Sequence, residues 1–453
     1  MSDPAPLSYD LLHTDADPDS RGRLGRVHTP HGAFDTPAFM PVGTQATVKG
    51  LFPRDVAATG AQTILANTYH LLLRPGSELV ARMGGLHGWM NWSGPILTDS
   101  GGYQVFSLGG INRIDDDGVT FKSHIDGRDV RMTPESSMRV QEQLGADIMM
   151  AFDDCPPARH TKAGPQAGAK AAAHAAGLMP EAEYAERVRV ANDRTLAWLD
   201  RCVTAHRASG RWDTQALFGI VQGGTDLSQR TACARAVTAF DLPGYAVGGV
   251  AVGEGPEEIA RVVRHTAPLL PADRPRYLMG VGYERDIVAA VRSGIDMFDC
   301  VLPTRNGRNA VAFTRTGRIR LKNAKFAEDP GPIEDGCDCA ACRPRIAEAK
   351  LHIPDVENAG AARGGVLETS EIGNQKLGIA PAFSRSYIRH LFRTNESLGG
   401  VLVSLHNLRH FQRLLLDIRR TIRDNAWSDF RSRWPVAGPP DAGGSRAGVE
   451  SGT

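Results

Sequence analysis

The sequence predicts an α/β protein, a (β/α)₈ TIM barrel with an appended cysteine-rich subdomain and C-terminal helices. Eight short apolar runs recur along the chain, and helix-like stretches follow most of them, as a barrel of about 250 residues requires. Acidic residues and glycines follow the ends of these runs, where barrel active sites are built. A doubly wound open sheet is the structural alternative. The candidate strands are 37–42, 63–66, 96–98, 148–152, 216–221, 245–247, 276–279 and 297–302.

Composition shifts along the chain suggest four parts. We predict an N-terminal extension (1–22), the barrel (23–326), the cysteine-rich subdomain (327–425) and a disordered tail rich in Pro, Gly and Ser (435–453). Two hydrophilic or Ala/Gly-rich segments without a strand pattern, 161–185 and 343–383, are predicted surface insertions whose purpose the sequence does not reveal. Helical periodicity returns over 384–424.

The composition of the 453 residues is that of an ordinary globular protein, and the formal net charge is only +1. No run approaches eighteen apolar residues and no secretory signal opens the chain, so we expect a soluble cytoplasmic protein without a membrane partner. Any nucleic-acid contact must therefore be local. One stretch without acidic residues, 305–325, could be such a patch or simply a solvated hairpin. Its basic residues are Arg305, Arg308, Arg315, Arg318, Arg320, Lys322 and Lys325.

Two aspartates stand out among the residues at the strand ends. Asp99 opens a turn with paired glycines and a tyrosine, Asp99 to Tyr103, and Asp299 is embedded in an apolar strand. Burying a lone carboxylate is unfavourable, so each needs a function or a partner. Either acid alone could be a helix cap or a structural carboxylate. If the barrel prediction holds, both meet at one mouth, which favours catalysis.

Three cysteines, Cys337, Cys339 and Cys342, place three thiolates within reach of one tetrahedral cation. This pattern favours Zn²⁺ with a fourth ligand from elsewhere, rather than three free buried thiols. Spacing alone does not choose between His352 and His406 as that ligand.

Five motifs resemble those of bacterial tRNA-guanine transglycosylase, of the queuine tRNA-ribosyltransferase family. They are TDSGGYQV (98–105), FGIVQG (218–223), YAVGGVAVGE (245–254), YLMGVG (277–282) and FDCVLPTRNGR (298–308). The resemblance runs from about residue 23 to 423, apart from the two predicted insertions. It implies a homodimeric, zinc-bearing barrel that exchanges guanine at the wobble position of tRNAs with GUN anticodons for preQ1, a 7-aminomethyl-7-deazaguanine, in queuosine biosynthesis.

The resemblance also implies roles for individual residues. Asp299 matches the nucleophile that attacks ribose C1′, and Asp99 matches the general acid/base. In the base pocket, the resemblance implies the following contacts: Asp153 with the donor edge of the base, Gln222 and the Gly249 N–H with O6, and Tyr103 and Met279 on the two ring faces. Arg305 and Arg308 match the arginines that read anticodon uridines.

Three further positions refine this picture. Val252 matches the valine of bacterial members, whose bulk would exclude the cyclopentenediol of queuine. Val250 stands where the family usually has leucine, a departure that affects the aminomethyl pocket. His406 lies on the segment that matches the family's ligand-bearing helix, whereas His352 falls in a predicted insertion. The resemblance therefore implies one structural Zn²⁺ per subunit on three cysteines and His406.

Rival functions are a catalytically silent tRNA-binding paralogue, a zinc-dependent barrel hydrolase and an archaeal-type enzyme acting on the D-arm. The presence of both Asp99 and Asp299 argues against the first. The second needs an open metal position at strand ends, where the cysteines do not lie. The third would require further C-terminal RNA-binding domains.

Overall fold

The computed structural model describes residues 5–104, 113–156, 158, 179–343 and 382–438. Its centre is a closed barrel of eight parallel strands, which confirms the predicted fold and excludes the open sheet. The last strand pairs with the first, Met297 opposite Ala38. Each predicted run coincides with one barrel strand. These strands are β4 (Ala38–Gly43), β5 (Ile64–Ala66), β6 (Ile96–Thr98), β10 (Ile148–Met150), β11 (Ala216–Val221), β12 (Gly244–Val247), β13 (Arg276–Leu278) and β14 (Met297–Cys300).

The remaining described elements surround the barrel. The other strands are β1 (Ser8–Thr14), β2 (Arg23–Thr29), β3 (Gly32–Thr36), β7 (Arg113–Asp115), β8 (Gly118–Lys122), β9 (Asp129–Met132), β15 (Val311–Thr314) and β16 (Gly317–Arg320). The α-helices are α1 (Pro53–Ala58), α2 (Thr68–Leu73), α3 (Ser77–Arg82), α4 (Gly85–Met90), α5 (Pro134–Leu144), α6 (Glu181–Ala208), α7 (Leu227–Thr238), α8 (Pro256–Thr266), α9 (Glu284–Arg292), α10 (Leu302–Arg308), α11 (Arg385–Arg393), α12 (Ser397–Asp424) and α13 (Trp427–Arg433). Short 3₁₀ helices span Ala267–Leu269, Ala324–Phe326 and Pro435–Ala437.

The barrel strands are mostly apolar because both of their faces are covered. Along β11, Phe218 and Ile220 belong to the cluster that fills the barrel interior. The alternate residues Leu217 and Val221 belong to the cluster formed with the outer helices. This two-residue period fixes which side chains of a strand can reach the mouth.

A three-stranded antiparallel sheet, β1–β2–β3, packs its side chains against the N-terminal end of the barrel. Strand β1 lies within the predicted extension 1–22 and pairs with β2, so that extension contributes a strand to this sheet. A second small sheet, β7–β8–β9, lies between barrel strands β6 and β10. The sequence reasoning predicted neither sheet.

A buried ion pair joins the N-terminal sheet to the barrel. Arg23 of β2 donates through Nε and Nη2 to the two carboxylate oxygens of Asp296, which precedes β14. Asp296 also accepts from the Arg276 backbone N–H at 2.7 Å and from the Tyr9 hydroxyl at 3.3 Å. The carboxylate is fully buried, and its four donors make it the anchor of this end of the fold.

The C-terminal part is built on the long helix α12, which confirms the helical periodicity predicted over 384–424. Its Gln412 donates to the Phe39 carbonyl of barrel strand β4. Its Asn407 side chain bonds the backbone of Pro303, Val311 and Phe313, and so holds α10 and the β15–β16 hairpin together. The hairpin and the cysteines share one apolar cluster with α11 and α12. The predicted limits of this subdomain, 327–425, stay a prediction.

Several predicted segments lie wholly or partly outside the described residues. They are 161–178 of the first insertion, 344–381 of the second, including His352, and 439–453 of the tail. Residues 181–185, which were counted in the first insertion, begin helix α6. None of the described helices is long and apolar enough to cross a membrane.

We expect the substitution Arg23→Met to lower the free energy of unfolding by about 3–5 kcal/mol, because it leaves the Asp296 carboxylate buried without its counter-charge. Urea unfolding followed by circular dichroism measures the change. The matched control is Arg26→Met on the same strand, whose exposed pair with Asp35 should contribute below about 1 kcal/mol. Equal losses in the two variants would contradict the anchoring role of the buried pair.

Candidate active site

One cavity of about 830 Å³ opens at the C-terminal end of the barrel strands. It brings together residues that lie more than two hundred positions apart in the sequence. The predicted site residues that line it are Asp99, Tyr103, Asp153, Gln222, Gly249, Val250, Met279, Asp299 and Arg305. Val252 lines it as well. The geometry therefore places the predicted residues together, while their individual roles stay predictions.

Asp99 lies directly after barrel strand β6 and is buried. The Thr68 backbone N–H donates to its Oδ1 at 2.8 Å, and the Asn67 amide donates to its Oδ2. Burial first, and the charge of Asp299 in addition, raise the pKa of Asp99 to about 6, against the opposing effect of these hydrogen bonds. A carboxyl group with a pKa near neutrality can both donate and accept a proton.

Asp299 lies in strand β14 and faces the same cavity. The Tyr277 hydroxyl donates to its Oδ1 at 2.6 Å, and the Gly280 backbone N–H donates to the same oxygen at 2.8 Å. Burial raises the pKa of Asp299, and these two bonds oppose that shift by favouring the ionised form. Because both bonds fall on Oδ1, Oδ2 remains available for chemistry.

Asp153 and Gln222 form a polar pair on the cavity wall. The Gln222 amide donates to Asp153 Oδ2 at 2.6 Å, and the Ser100 hydroxyl donates to Oδ1 at 2.9 Å. Burial raises the pKa of Asp153 to about 6. Gln222 Oε1 is buried and has no hydrogen-bond partner among the described residues. Such a wall can recognise a flat ligand that offers donors on one edge and an acceptor beside them.

The loop after strand β12 supplies backbone groups to the cavity. Gly249 has a positive φ of 60°, and a Cβ there would lie 2.0 Å from Gln222 Oε1. Only glycine therefore allows this close approach. Farther along the loop, the Val252 backbone N–H donates to the half-buried Glu254 carboxylate at 2.9 Å.

The mouth of the cavity is aromatic and basic. Tyr103 lines the mouth and is 47% exposed, which leaves its ring face available for stacking. Arg305 and Arg308 lie on α10, directly after strand β14. The pKa of Arg308 is lowered by partial burial first and by the charge of Arg305 second, which shows that the two guanidinium groups are near each other. Arg305 lines the cavity, and Arg308 lies on the exposed surface beyond it.

The three cysteines meet His406 outside the barrel mouth. Their sulfur atoms lie 3.6, 3.6 and 3.4 Å from His406 Nδ1, for Cys337, Cys339 and Cys342 respectively. A tetrahedral zinc ion with ordinary Zn–S and Zn–N bonds separates S from N by about 3.6 Å. His406 Nε2 donates to the Phe313 carbonyl at 2.7 Å, which leaves the Nδ1 lone pair for a metal. The cluster could therefore hold a metal ion and is compatible with zinc.

A second group, His31, His87 and Asp147, also brings possible ligand atoms together. The two imidazole rings stack at 3.5 Å, and each donates to a different oxygen of Asp147. The same carboxylate accepts from the Ile96 backbone N–H. Parallel rings cannot both direct their in-plane lone pairs at one ion, so we interpret this group as a structural tie at the N-terminal end of the barrel.

Sequence reasoning missed four residues that support the site. Asn67 directly follows the second barrel strand, a position that could have identified it. Tyr277 alternates into the barrel interior, but nothing in its motif indicates that it bonds Asp299. Glu254 is the last residue of the motif at 245–254, but the sequence reasoning predicted no role for it. Arg230 gives no sequence signal, because an arginine on a helix usually lies on a solvated face.

The family model described as queuine tRNA-ribosyltransferase matches residues 17–361 and 379–437. The stretch between these matches lies inside the predicted insertion 343–383. Curated proteins named queuine tRNA-ribosyltransferase are similar over nearly the whole chain. The protein from Thermus thermophilus is 48% identical over 410 residues, 90% of each chain. The protein from Herpetosiphon aurantiacus is 45% identical, covering 94% of this chain and 92% of the relative. The protein from Lysinibacillus sphaericus is 43% identical over 96% of both chains.

These matches confirm the predicted family, and with it the predicted enzyme class, a pentosyltransferase that acts on tRNA. The chain belongs to the queuine tRNA-ribosyltransferase family.

Proposed function

We propose that this enzyme exchanges guanine at the wobble position of GUN-anticodon tRNAs for preQ1, by double displacement through a covalent intermediate on Asp299. The observation that carries the proposal is the pair of carboxylates, Asp99 and Asp299, that open into one cavity from different barrel strands. A third carboxylate, Asp153, stands on the wall between the loops that would hold the base.

In the first displacement, Oδ2 of Asp299 attacks ribose C1′ while the bond from C1′ to the departing guanine breaks. Tyr277 and Gly280 hold Oδ1 and so orient the other oxygen. In the second displacement, the incoming base attacks C1′ and releases the carboxylate. Two inversions at C1′ retain the configuration, as in other two-step glycosyl transfers.

Asp99 supplies the proton in the first displacement and removes one in the second. Its pKa of about 6 suits this double role, because the group changes protonation state with little driving force near neutral pH. Asn67 and Thr68 fix its orientation toward the cavity. The opposite order of roles is disfavoured, because burial and, in addition, the negative charge of Asp299 raise the pKa of Asp99 and so favour Asp99 as the protonated partner.

Base recognition follows from counting donors and acceptors. The N1–H and exocyclic amine of guanine or preQ1 suit the Asp153 carboxylate, and O6 suits the Gln222 amide and the Gly249 N–H. Tyr103 and Met279 cover the two ring faces. Val252 lines the cavity where the substituent of the base would extend, and its bulk favours the small aminomethyl group of preQ1 over queuine. Val250 lines the same wall and is proposed to contact the aminomethyl group.

Recognition of tRNA is assigned to α10 and the hairpin that follows it. Arg305 and Arg308 lie beside the cavity, and their planar guanidinium groups can form paired hydrogen bonds with anticodon bases. The remaining basic residues of the segment 305–325, among them Arg318 and Arg320 of β16, would then contact phosphates. We further propose that the protein forms a homodimer, which is what the family resemblance implies. We also propose that it is located in the cytoplasm, where its tRNA substrate is found.

The metal at the Cys₃His cluster is proposed to be one structural Zn²⁺ per subunit. Four protein ligands complete a tetrahedron and leave no open position for substrate. The cluster lies outside the barrel mouth, which disfavours a zinc-dependent hydrolase. Its effect on the reaction is indirect, through the hairpin and α10.

The substitution Asp299→Asn should reduce incorporation of radiolabelled guanine into an unmodified GUN tRNA by at least about 10³-fold, because the nucleophile is lost. Wild-type protein should also form a covalent RNA adduct that survives a denaturing gel, and the variant should not. Thermal unfolding and tRNA gel shifts serve as controls for folding and binding. An adduct that persists in Asp299→Asn would place the nucleophile elsewhere.

Single-turnover formation of the RNA adduct should slow about tenfold per pH unit above the pKa of Asp99, about 6, because this step needs its protonated form. The comparison is Asp99→Asn, which should be slower and should lack this descending limb. Rapid quenching from pH 5 to 9 at constant ionic strength gives both profiles. A wild-type rate that rises steadily from pH 6 to 8 would contradict the assignment of Asp99 as the acid.

Purified protein should contain about one zinc per chain by plasma mass spectrometry, and Cys339→Ser should lose most of it. The loss should lower the melting temperature and weaken tRNA binding more than it weakens guanine binding, because the cluster supports the hairpin. The matched control is Cys202→Ser, a buried thiol outside the cluster, which should keep its zinc. Full zinc content in Cys339→Ser would show that the metal is held differently.

A further inference from the structure

Arg230 is a fully buried arginine behind the base-binding wall, on helix α7. It forms no ion pair with a carboxylate anywhere in the described ranges, and the reaction scheme above does not use it. Burial lowers the pKa of Arg230, and the charge of the nearby Glu254 carboxylate opposes this effect, but the two groups form no ion pair. A cation in this position needs a physical explanation.

Two features make the position unfavourable for a positive charge. Burial removes the guanidinium from water, and it lowers the pKa of Arg230 to about 10. Helix α7 begins at Leu227, so Arg230 lies in its first turn, where the helix dipole repels cations. An apolar residue would avoid both penalties, which indicates that the donors of the guanidinium are needed.

Those donors bind backbone carbonyls of two loops. Nη1 donates to the carbonyl of Val221, the last residue of β11, at 2.9 Å, and Nε donates to the Gly224 carbonyl in the following connection, also at 2.9 Å. Nη1 also donates to the Gly248 carbonyl at 2.6 Å, and Nη2 donates to the Gly249 carbonyl at 2.9 Å, both after β12. One rigid planar group therefore cross-links the loops that carry Gln222 and Gly249.

The consequence for the cavity follows from the planar trans peptide. In such a unit the C=O and the next N–H point in opposite directions. When Arg230 holds the Gly248 carbonyl, the Gly249 N–H must point away from Arg230. In the next peptide unit Arg230 holds the Gly249 carbonyl, so the Val250 N–H must point away from Arg230 as well. Gly248, Gly249 and Val250 all line the cavity. The guanidinium thus sets the direction of the N–H groups that face a bound base.

We propose that Arg230 is a positioning residue for base recognition, which orients the Gly249 N–H toward O6 of guanine or preQ1 by holding the carbonyls of Gly248 and Gly249. The inference rests on the proposed function, because it concerns the same base pocket. It assigns no contact between Arg230 and the base. Because Arg230 fixes the direction of this donor before the ligand binds, binding the base does not carry the free-energy cost of ordering the loop.

Arg276 provides a matched control for a merely structural role. Its buried guanidinium also donates to backbone carbonyls, those of Leu270, Pro271 and Gly294. Burial likewise lowers its pKa to about 10. These bonds lie at the N-terminal end of the barrel, around Asp296 and away from the cavity. Arg276→Lys and Arg230→Lys therefore remove comparable bonds from different ends of the same fold.

The test compares steady-state guanine exchange in the full-length wild type, Arg230→Lys and Arg276→Lys. Arg230→Lys should raise the KM for guanine at least tenfold and leave the KM for tRNA within twofold, because only the base pocket changes. Arg276→Lys should lower the melting temperature but keep both KM values within twofold. If Arg230→Lys does not yield folded protein, Arg230→Gln replaces it, and equilibrium binding of guanine to the purified variant gives the same readout.

Each outcome bears on the proposal. A guanine KM within threefold of wild type in a folded Arg230 variant would overturn it. So would a parallel rise in both KM values, or the same guanine defect in Arg276→Lys, because these indicate general loosening of the fold. If neither Arg230 variant folds while Arg276→Lys does, the role is structural and the proposal fails. Absence of exchange by the wild-type protein would instead contradict the proposed function.

Discussion

The burial of three carboxylates in one cavity is the constraint on which the rest of this structure depends. Asp99, Asp153 and Asp299 come from different barrel strands, and burial raises the pKa of each. A site of this kind persists only if every carboxylate has fixed donors, since an unpaired buried charge is strongly unfavourable. The donors are neutral groups, namely amides, hydroxyls and backbone N–H groups. Neutral partners hold the carboxylates in place without abolishing the elevated pKa that proton transfer requires.

The C-terminal subdomain extends this support away from the barrel. On helix α12, His406 faces the three cysteines through Nδ1 and bonds the Phe313 carbonyl through Nε2. The adjacent Asn407 bonds the backbone of α10, which follows Asp299 directly in sequence. A metal at the cluster would therefore fix the hairpin and α10 together. This connection explains how a site without an open coordination position can matter for a reaction in the barrel.

Sequence reasoning predicted the barrel and the members of the cavity because both follow from position. A strand buried on two faces is apolar at most of its residues, and its C-terminal end must lie at the mouth, so Asp99, Asp153 and Asp299 could be placed without coordinates. The supporting residues could not be placed in this way. Arg230 binds four backbone carbonyls, and no side-chain pattern in the sequence reveals such partners. Its position in a helix would instead suggest that its side chain is exposed to solvent. The small sheets β1–β3 and β7–β9 were missed because their short polar strands lack the apolar runs on which the prediction relied.

The elevated pKa values of these carboxyl groups also make the stability of the folded protein depend on pH. Because the folded pKa of Asp99 is about 6 and the unfolded one about 4, the native state binds more protons between these values. Stability therefore falls as the pH rises through this window, and the full loss, on the order of 3 kcal/mol, is present at neutral pH. The same sign holds for Asp153. At neutral pH the buried carboxylates of the cavity therefore lower the stability of the folded protein. The buried Arg23–Asp296 pair lies at the opposite end of the barrel, and apolar side chains fill the interior between the two ends.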